Sequence, residues 1–188
     1  MESNSNTLKT RREVNLMSRI SREEMFCGIL RVIEKRRTCL RSKVAALIEK
    51  DGRIISLGYN GPASGMPECT PVREPQRIGW VDYDSTTCLG RGCNRSIHAE
   101  QNAIAFAARA GIPIEGATLY CSMSPCINCA KLIINSGIKE VVYLEEYRDT
   151  EGVELLKKAN IKTLLFSPSR EMPDAIQIGN GNESLKGE

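Results

Sequence analysis

Apolar residues recur at helical spacing from Met25 through Phe26, Ile29, Leu30, Val32 and Ile33, directly after Ser21-Arg22-Glu23-Glu24. That tetrapeptide is a capping box, so the pattern predicts a first helix running to about Arg37. The period then changes. Val44 to Glu49 and Ile54 to Gly58 are β-rich runs on either side of Lys50-Asp51-Gly52-Arg53, and Asp-Gly between such runs predicts a hairpin of two antiparallel strands. Tyr59 to Ile97 has the Gly, Pro, Asp and Thr content of a long loop, a length uncommon in a compact domain unless function or a tether holds it.

The helical period returns at His98, with Ala103, Ile104, Phe106, Ala107 and Ala108 before Gly111. A buried, alanine-rich helix opened by the histidine is expected. Thr118 to Cys121 predicts a short strand, and Cys126 to Asn135 a helix with Pro125 in its first turn and Gly137 stopping it. Further strands are expected at Glu140 to Leu144 and Ile161 to Phe166, with a helix from about Thr150 to Ala159 between them. Alternating helices and strands call for parallel strands joined by right-handed crossovers. The expected fold is therefore α/β in three layers, a five-stranded mixed sheet with helices on both faces.

A chain of 188 residues suits one domain. That domain is expected over residues 21–166, between a polar, basic, flexible arm at 1–20 and a flexible Ser-, Gly-, Asn- and Pro-containing tail at 167–188. The formal net charge of +3 is too small to point to a nucleic-acid polymer as partner. No run approaches the roughly twenty apolar residues of a membrane span, and the polar start lacks the apolar core of a signal peptide. A cytoplasmic protein is expected. In that reducing compartment the eight cysteines read better as metal ligands than as disulfides.

His98 is the one histidine of the chain. It begins His98-Ala99-Glu100, and Pro125-Cys126-Ile127-Asn128-Cys129 follows later. One imidazole and two thiolates fill three corners of a tetrahedral zinc and leave the fourth for water, the arrangement of a catalytic site. Glu100 is then free to carry protons. Cys126 and Cys129, three apart on one helix, present both sulfurs on one face, and both helix starts aim their positive ends at the site. A lone C-x-x-C, or a lone histidine at a helix start, is ordinary structure. Together, H-x-E and P-C-x-x-C form the signature of zinc-dependent nucleobase deaminases.

Wider stretches carry a narrower resemblance. Thr38 to Ala46, Asp51 to Gly61, Ile97 to Ile104 and Gly137 to Tyr143 resemble the deoxycytidylate (dCMP) deaminase family, over about Glu24 to Phe166. The resemblance implies a cytidine deaminase-like fold and hydrolysis of dCMP to dUMP and ammonia, with Glu100 as the proton carrier. It also implies Asn60 at the sugar 3′-hydroxyl, Tyr147 and Arg148 near the phosphate, and Ala99, Ser124 and the Cys126 backbone around the pyrimidine. Paired guanidinium donors suit a phosphate, although Asn60-Gly61 also makes a good turn and Arg148 could be a solvated charge.

Some relatives resemble this chain in placing cysteines at the positions of Cys39 and Cys69 for a second, structural zinc. Cys88 and Cys93, close along the chain, would complete a closed four-cysteine site and tether the long loop. Family resemblance further implies a homo-oligomer, commonly a hexamer, activated by dCTP with Mg²⁺ and inhibited by dTTP. The effector would bind at Gly58, Asn60 and Gly61 with the first helix. Ala45-Ala46 and Pro62-Ala63-Ser64-Gly65 depart from the family pattern. Alternatives within the fold are a deaminase of 5-substituted dCMP, dCTP or another cytosine nucleoside or nucleotide, and a tRNA adenosine deaminase, which needs an RNA-binding face. From another class, the chain could be a zinc-stabilised binding module without turnover, but an inert site has no use for Glu100.

Overall fold

The structure is a computed structural model and describes residues 20–39, 42–66, 69 and 95–167. The expected arm at 1–20 and tail at 167–188, apart from Ile20 and Ser167, lie outside the described residues, as do Cys88 and Cys93. Helix α1, Arg22–Ile33, is extended by a 3-10 turn at Glu34–Arg36. Its capping box is complete: the Glu24 amide donates to Ser21 Oγ at 3.0 Å and the Ser21 amide to Glu24 Oε2 at 2.8 Å. Strands β1, Ala45–Lys50, and β2, Arg53–Tyr59, pair antiparallel. The turn between them places both Asp51 and Gly52 at positive φ, 54° and 79°, the two-residue hairpin turn that suits strand twist.

The rest is alternating, as the pattern predicts: α2 Ala99–Ala110, β5 Thr118–Met123, α3 Ile127–Asn135, β6 Glu140–Glu145, α4 Glu151–Lys158 and β7 Lys162–Leu165. Two short strands come before α2, β3 at Gly61–Pro62 and β4 at Ser96–Ile97, paired antiparallel. The stretch expected as loop from Tyr59 to Ile97 thus begins and ends in a small ladder. The main sheet runs β2-β1-β5-β6-β7, antiparallel across β1–β5 and parallel from β5 to β7.

Period-two alternation sorts the strand residues onto two cores. Ala46, Ile48, Leu119, Cys121, Val141 and Tyr143 face the layer of α2, α3 and α4. Ala45, Leu47, Tyr120 and Val142 face α1, where they meet Phe26, Cys27 and Leu30. The rings of Phe26 and Tyr120 pack tilted, their centroids 5.0 Å apart. Each fully buried large apolar side chain contributes about 1.5–3 kcal/mol, so α1 docks through a few such residues.

Two expectations need correction. Pro125 lies outside α3, before its N-cap Cys126, because the cysteine keeps an extended backbone and so starts the helix one residue later. Helix α2 is not buried all round: Phe106 is 54% exposed, because only the Ala103, Ile104 and Ala107 stripe faces the sheet. No helix among the described residues is long and apolar enough to cross a membrane.

Candidate active site

Strands β5 and β6 end side by side, and the segments leaving their C-terminal ends build the site, as in open α/β sheets generally. Ser124, Pro125 and Cys126 follow β5; Glu146 to Thr150 follow β6. The third wall is the start of α2. Its seat on β2 is close because Gly58 has no side chain: a Cβ there would lie 2.4 Å from the Ala99 carbonyl oxygen and 2.6 Å from the Ala103 nitrogen. Ser56 Oγ donates to the Ala103 carbonyl at 2.6 Å, and Asn102 Nδ2 to the Tyr59 carbonyl at 3.0 Å. These contacts fix the first turn of α2, and with it His98 and Glu100.

His98 is the N-cap of α2 and Cys126 the N-cap of α3, with Cys129 one turn further. His98 Nδ1 lies 3.4 Å from the Sγ of each cysteine, and the three ligand atoms lie within 4.8 Å of one another. Ligands around a tetrahedral zinc at the usual bond lengths are separated by roughly 3.5–3.8 Å. The three atoms therefore fit one zinc ion. No other cluster of three or more metal-type ligands occurs among the described residues, and no fourth side chain joins this one. A hydrogen bond from Cys129, with His98 beside it, holds the Cys126 thiol well below its ordinary value. The same hydrogen bond and burial push the Cys129 thiol up. A bound cation would displace any proton the two thiols hold.

Glu100 is 4% exposed. Burial pushes its carboxyl up to about 7, against the pull of its backbone amide and His98. A carboxyl poised near neutral pH can both take and give a proton. It lines, with His98 and Cys126, a cavity of about 640 Å³. Asn60, Ala99, Ser124, Tyr147 and Arg148 line the same cavity, so all five expected substrate contacts come together.

Each of these has a definable state. Asn60 Oδ1 accepts from the Val44 amide at 3.1 Å and its Nδ2 donates to the Ser42 carbonyl at 2.9 Å. Those bonds fix the amide and leave each end capacity for one more. Ser124 Oγ accepts from the Tyr147 amide at 2.8 Å, tying the segment that leads to Cys126 to the loop after β6. The Arg148 guanidinium stacks 5.5 Å from the Tyr147 ring centroid. Asp149 Oδ1 accepts from the Glu151 amide at 2.9 Å and so begins α4.

Cys39 and Cys69 are buried, and the Cys69 amide donates to the Thr38 carbonyl at 3.2 Å, which brings their two segments together. Cys39 also lines the cavity, a placement that sequence reasoning missed. Gly61, like Gly58, is a packing position: a Cβ there would meet Thr38 Oγ1 at 2.1 Å. Asp149, next to Tyr147 and Arg148, lines the cavity too, as do Ser42, Met123, Asn128 and Glu146, which the sequence did not single out. Cys27 and Cys121 are buried thiols raised by desolvation, Cys27 to about 12, the state of inert core cysteines.

A three-residue metal cluster at two helix starts, with a buried carboxyl beside it on a three-layer sheet, defines the class of metal-site deaminases. Within that class the chain belongs to the cytidine and deoxycytidylate deaminase family, whose zinc-binding region matches residues 20–145. It is 39% identical over 180 residues to the deoxycytidylate deaminase of Enterobacteria phage T4, covering 81% of this chain and 92% of that one. It is 37% identical to ComE operon protein 2 of Bacillus subtilis (strain 168), covering 77% and 71%. Among solved structures, the dCMP deaminase of cyanophage S-TIM5 in complex with dCMP and dUMP superposes with a TM-score of 0.63 at 30% identity, covering 75% of this chain and 93% of that one. The fold is the cytidine deaminase-like fold expected from the sequence.

Proposed function

We propose that the chain is a zinc-dependent dCMP deaminase, converting dCMP and water to dUMP and ammonia. The observation that carries this reading is the convergence of His98, Cys126 and Cys129 on one point beside buried Glu100, in the cavity that also holds Arg148. Relatives named for the same reaction support it. A zinc ion held by these three residues would supply a polarised water, its pKa lowered to about 7.

The chain's own residues do the rest. Glu100 takes a proton from the water as the water oxygen bonds to the amino-bearing carbon, and gives that proton to the ring nitrogen beside it. It then passes the second proton to the amino group, which leaves as ammonia while the carbon becomes a carbonyl. The backbone of Ala99, in the first turn of α2, and of Cys126, the N-cap of α3, holds the pyrimidine carbonyl in this reading. Asn60 offers its remaining donor and acceptor to the sugar hydroxyl, and Arg148 its paired donors to the phosphate. Ser124 keeps Tyr147 in place.

The same reading extends to a second zinc at Cys39 and Cys69, completed by Cys88 and Cys93, and is supported by the burial of the first two on adjoining segments. It extends also to a cytoplasmic homo-hexamer controlled by dCTP with Mg²⁺ and by dTTP at the Gly58-Tyr59-Asn60-Gly61 corner. The support there is proximity: Asn60 belongs to both the corner and the cavity.

A spectrophotometric deamination assay with dCMP, dCTP, deoxycytidine and 5-methyl-dCMP tests the proposal. dCMP should have the highest kcat/KM, and Glu100→Gln should lower kcat by roughly 10²–10⁴-fold while zinc content stays the same. Turnover unaffected by that substitution, or a preference for the free nucleoside, overturns it.

A further inference from the structure

Gly152 lies in the first turn of α4, a position where glycine weakens a helix relative to alanine. Packing explains its presence. A Cβ at Gly152 would stand 2.0 Å from the Pro125 carbonyl oxygen, 2.7 Å from the Cys126 carbonyl carbon and 2.9 Å from the Cys126 oxygen. All three are backbone atoms, and none can rotate out of the way as a side chain does. Any other residue would drive the two segments apart by about 1 Å, because packed interiors do not absorb such overlap.

The segment on the far side of this contact is the one that presents the first sulfur. Cys126 makes no side-chain capping bond on its own helix. Its backbone is located by two things, the Ala130 amide that donates to its carbonyl at 2.9 Å and the close approach of Gly152. The helix carrying Gly152 begins at the loop that bears Tyr147 and Arg148, through the Asp149 side chain bonded to the Glu151 amide. A second link, the Tyr147 amide on Ser124 Oγ, ties the same loop to the residue two before Cys126.

We infer that Gly152 is a positioning residue: the close seat of α4 on the Pro125–Cys126 peptide sets Cys126 Sγ against His98 and Cys129, and holds Tyr147 and Arg148 in register with that centre. This rests on the reading of the site as a metal-dependent deaminase.

Cobalt(II) substituted for zinc reports thiolate ligation by its absorption, a signal that loss of stability alone does not move. Gly152→Ala should bind cobalt at least tenfold more weakly, with a shifted thiolate-to-cobalt band, and should lose up to about 100-fold in kcat on dCMP, the scale of a 1 Å misplacement. Leu156→Ala empties part of the core that α4 shares with α3 without adding an atom, and Leu30→Ala removes a fully buried leucine from the opposite core. Leu156→Ala should weaken cobalt binding, whereas Leu30→Ala should keep the unaltered protein's spectrum and affinity even where it melts lower. Should Gly152→Ala fail to fold, that pair decides. A folded Gly152→Ala with unchanged affinity and spectrum overturns the inference, as do Leu156→Ala and Leu30→Ala proteins that bind cobalt alike. Failure of the unaltered protein to bind cobalt overturns the reading of the site itself, and the inference with it.

Discussion

Arg148 is the one lysine or arginine among the described residues lining the cavity, where Glu146 and Asp149 are its charged neighbours on the same loop. Its stacking on Tyr147, 5.5 Å from the ring centroid, orients the guanidinium plane while leaving the donor edge available to a phosphate. A hydrogen bond to a charged group contributes about 1.5–3 kcal/mol, so Arg148→Ala should raise the KM for dCMP by roughly 10- to 100-fold. Deoxycytidine, which has no phosphate, should be handled much as before. Steady-state kinetics on the two substrates make the comparison, and an equal loss on both would remove the phosphate role. Glu100 shows the same dependence of role on surroundings: burial, the largest influence on it, outweighs the pull of its backbone amide and His98 and poises its carboxyl near pH 7.

Helix α1 reports how far an element follows from local signals. Ser21 caps it with an exposed side-chain bond to the Glu24 amide at 3.0 Å, so Ser21→Ala should cost about 1 kcal/mol and lower Tm by about 2–4 °C. Cobalt affinity should not change, since α1 packs on the sheet face opposite the site; a changed affinity in calorimetry would contradict that separation. The capping box, the Asp-Gly turn and the short strands β5 and β6 were legible because each signal lies within a few residues of the structure it specifies. The clustering of His98, Cys126 and Cys129 was legible from Cys126 and Cys129 standing one turn apart and His98 opening a helix. What escaped depends on segments distant along the chain. Nothing local tells that Phe106 faces outward, that Cys39 reaches the cavity, or that Nδ1 is the imidazole nitrogen facing the sulfurs. Gly152 did leave a trace, a glycine inside a helical pattern, but its partner is the peptide after Pro125, and only the packing of α4 on α3 reveals it.

Across the whole molecule, the metal site joins parts that hold each other only weakly. Helix α3 packs extensively on α4, and α2 on β2, but α2 and α3 touch sparingly; His98 belongs to one and both cysteines to the other. A zinc ion would therefore act as the cross-link between the two halves of the helical layer. Its binding adds stability as RT ln(1 + [Zn]/Kd), about 4 kcal/mol at a thousandfold excess over Kd. Removing it with a chelator should lower Tm by about 8–16 °C for a chain of this size, and His98→Ala should melt near the chelated protein and respond little to added zinc. The loss should also be local. Amide exchange should quicken first in the opening turns of α2 and α3, whose N-caps carry His98 and Cys126, while the β1–β2 hairpin keeps its protection. Uniform loss of protection through the sheet, or a Tm indifferent to chelation, would show that the helical layer holds together without the ion and that the three ligand atoms are placed by packing alone.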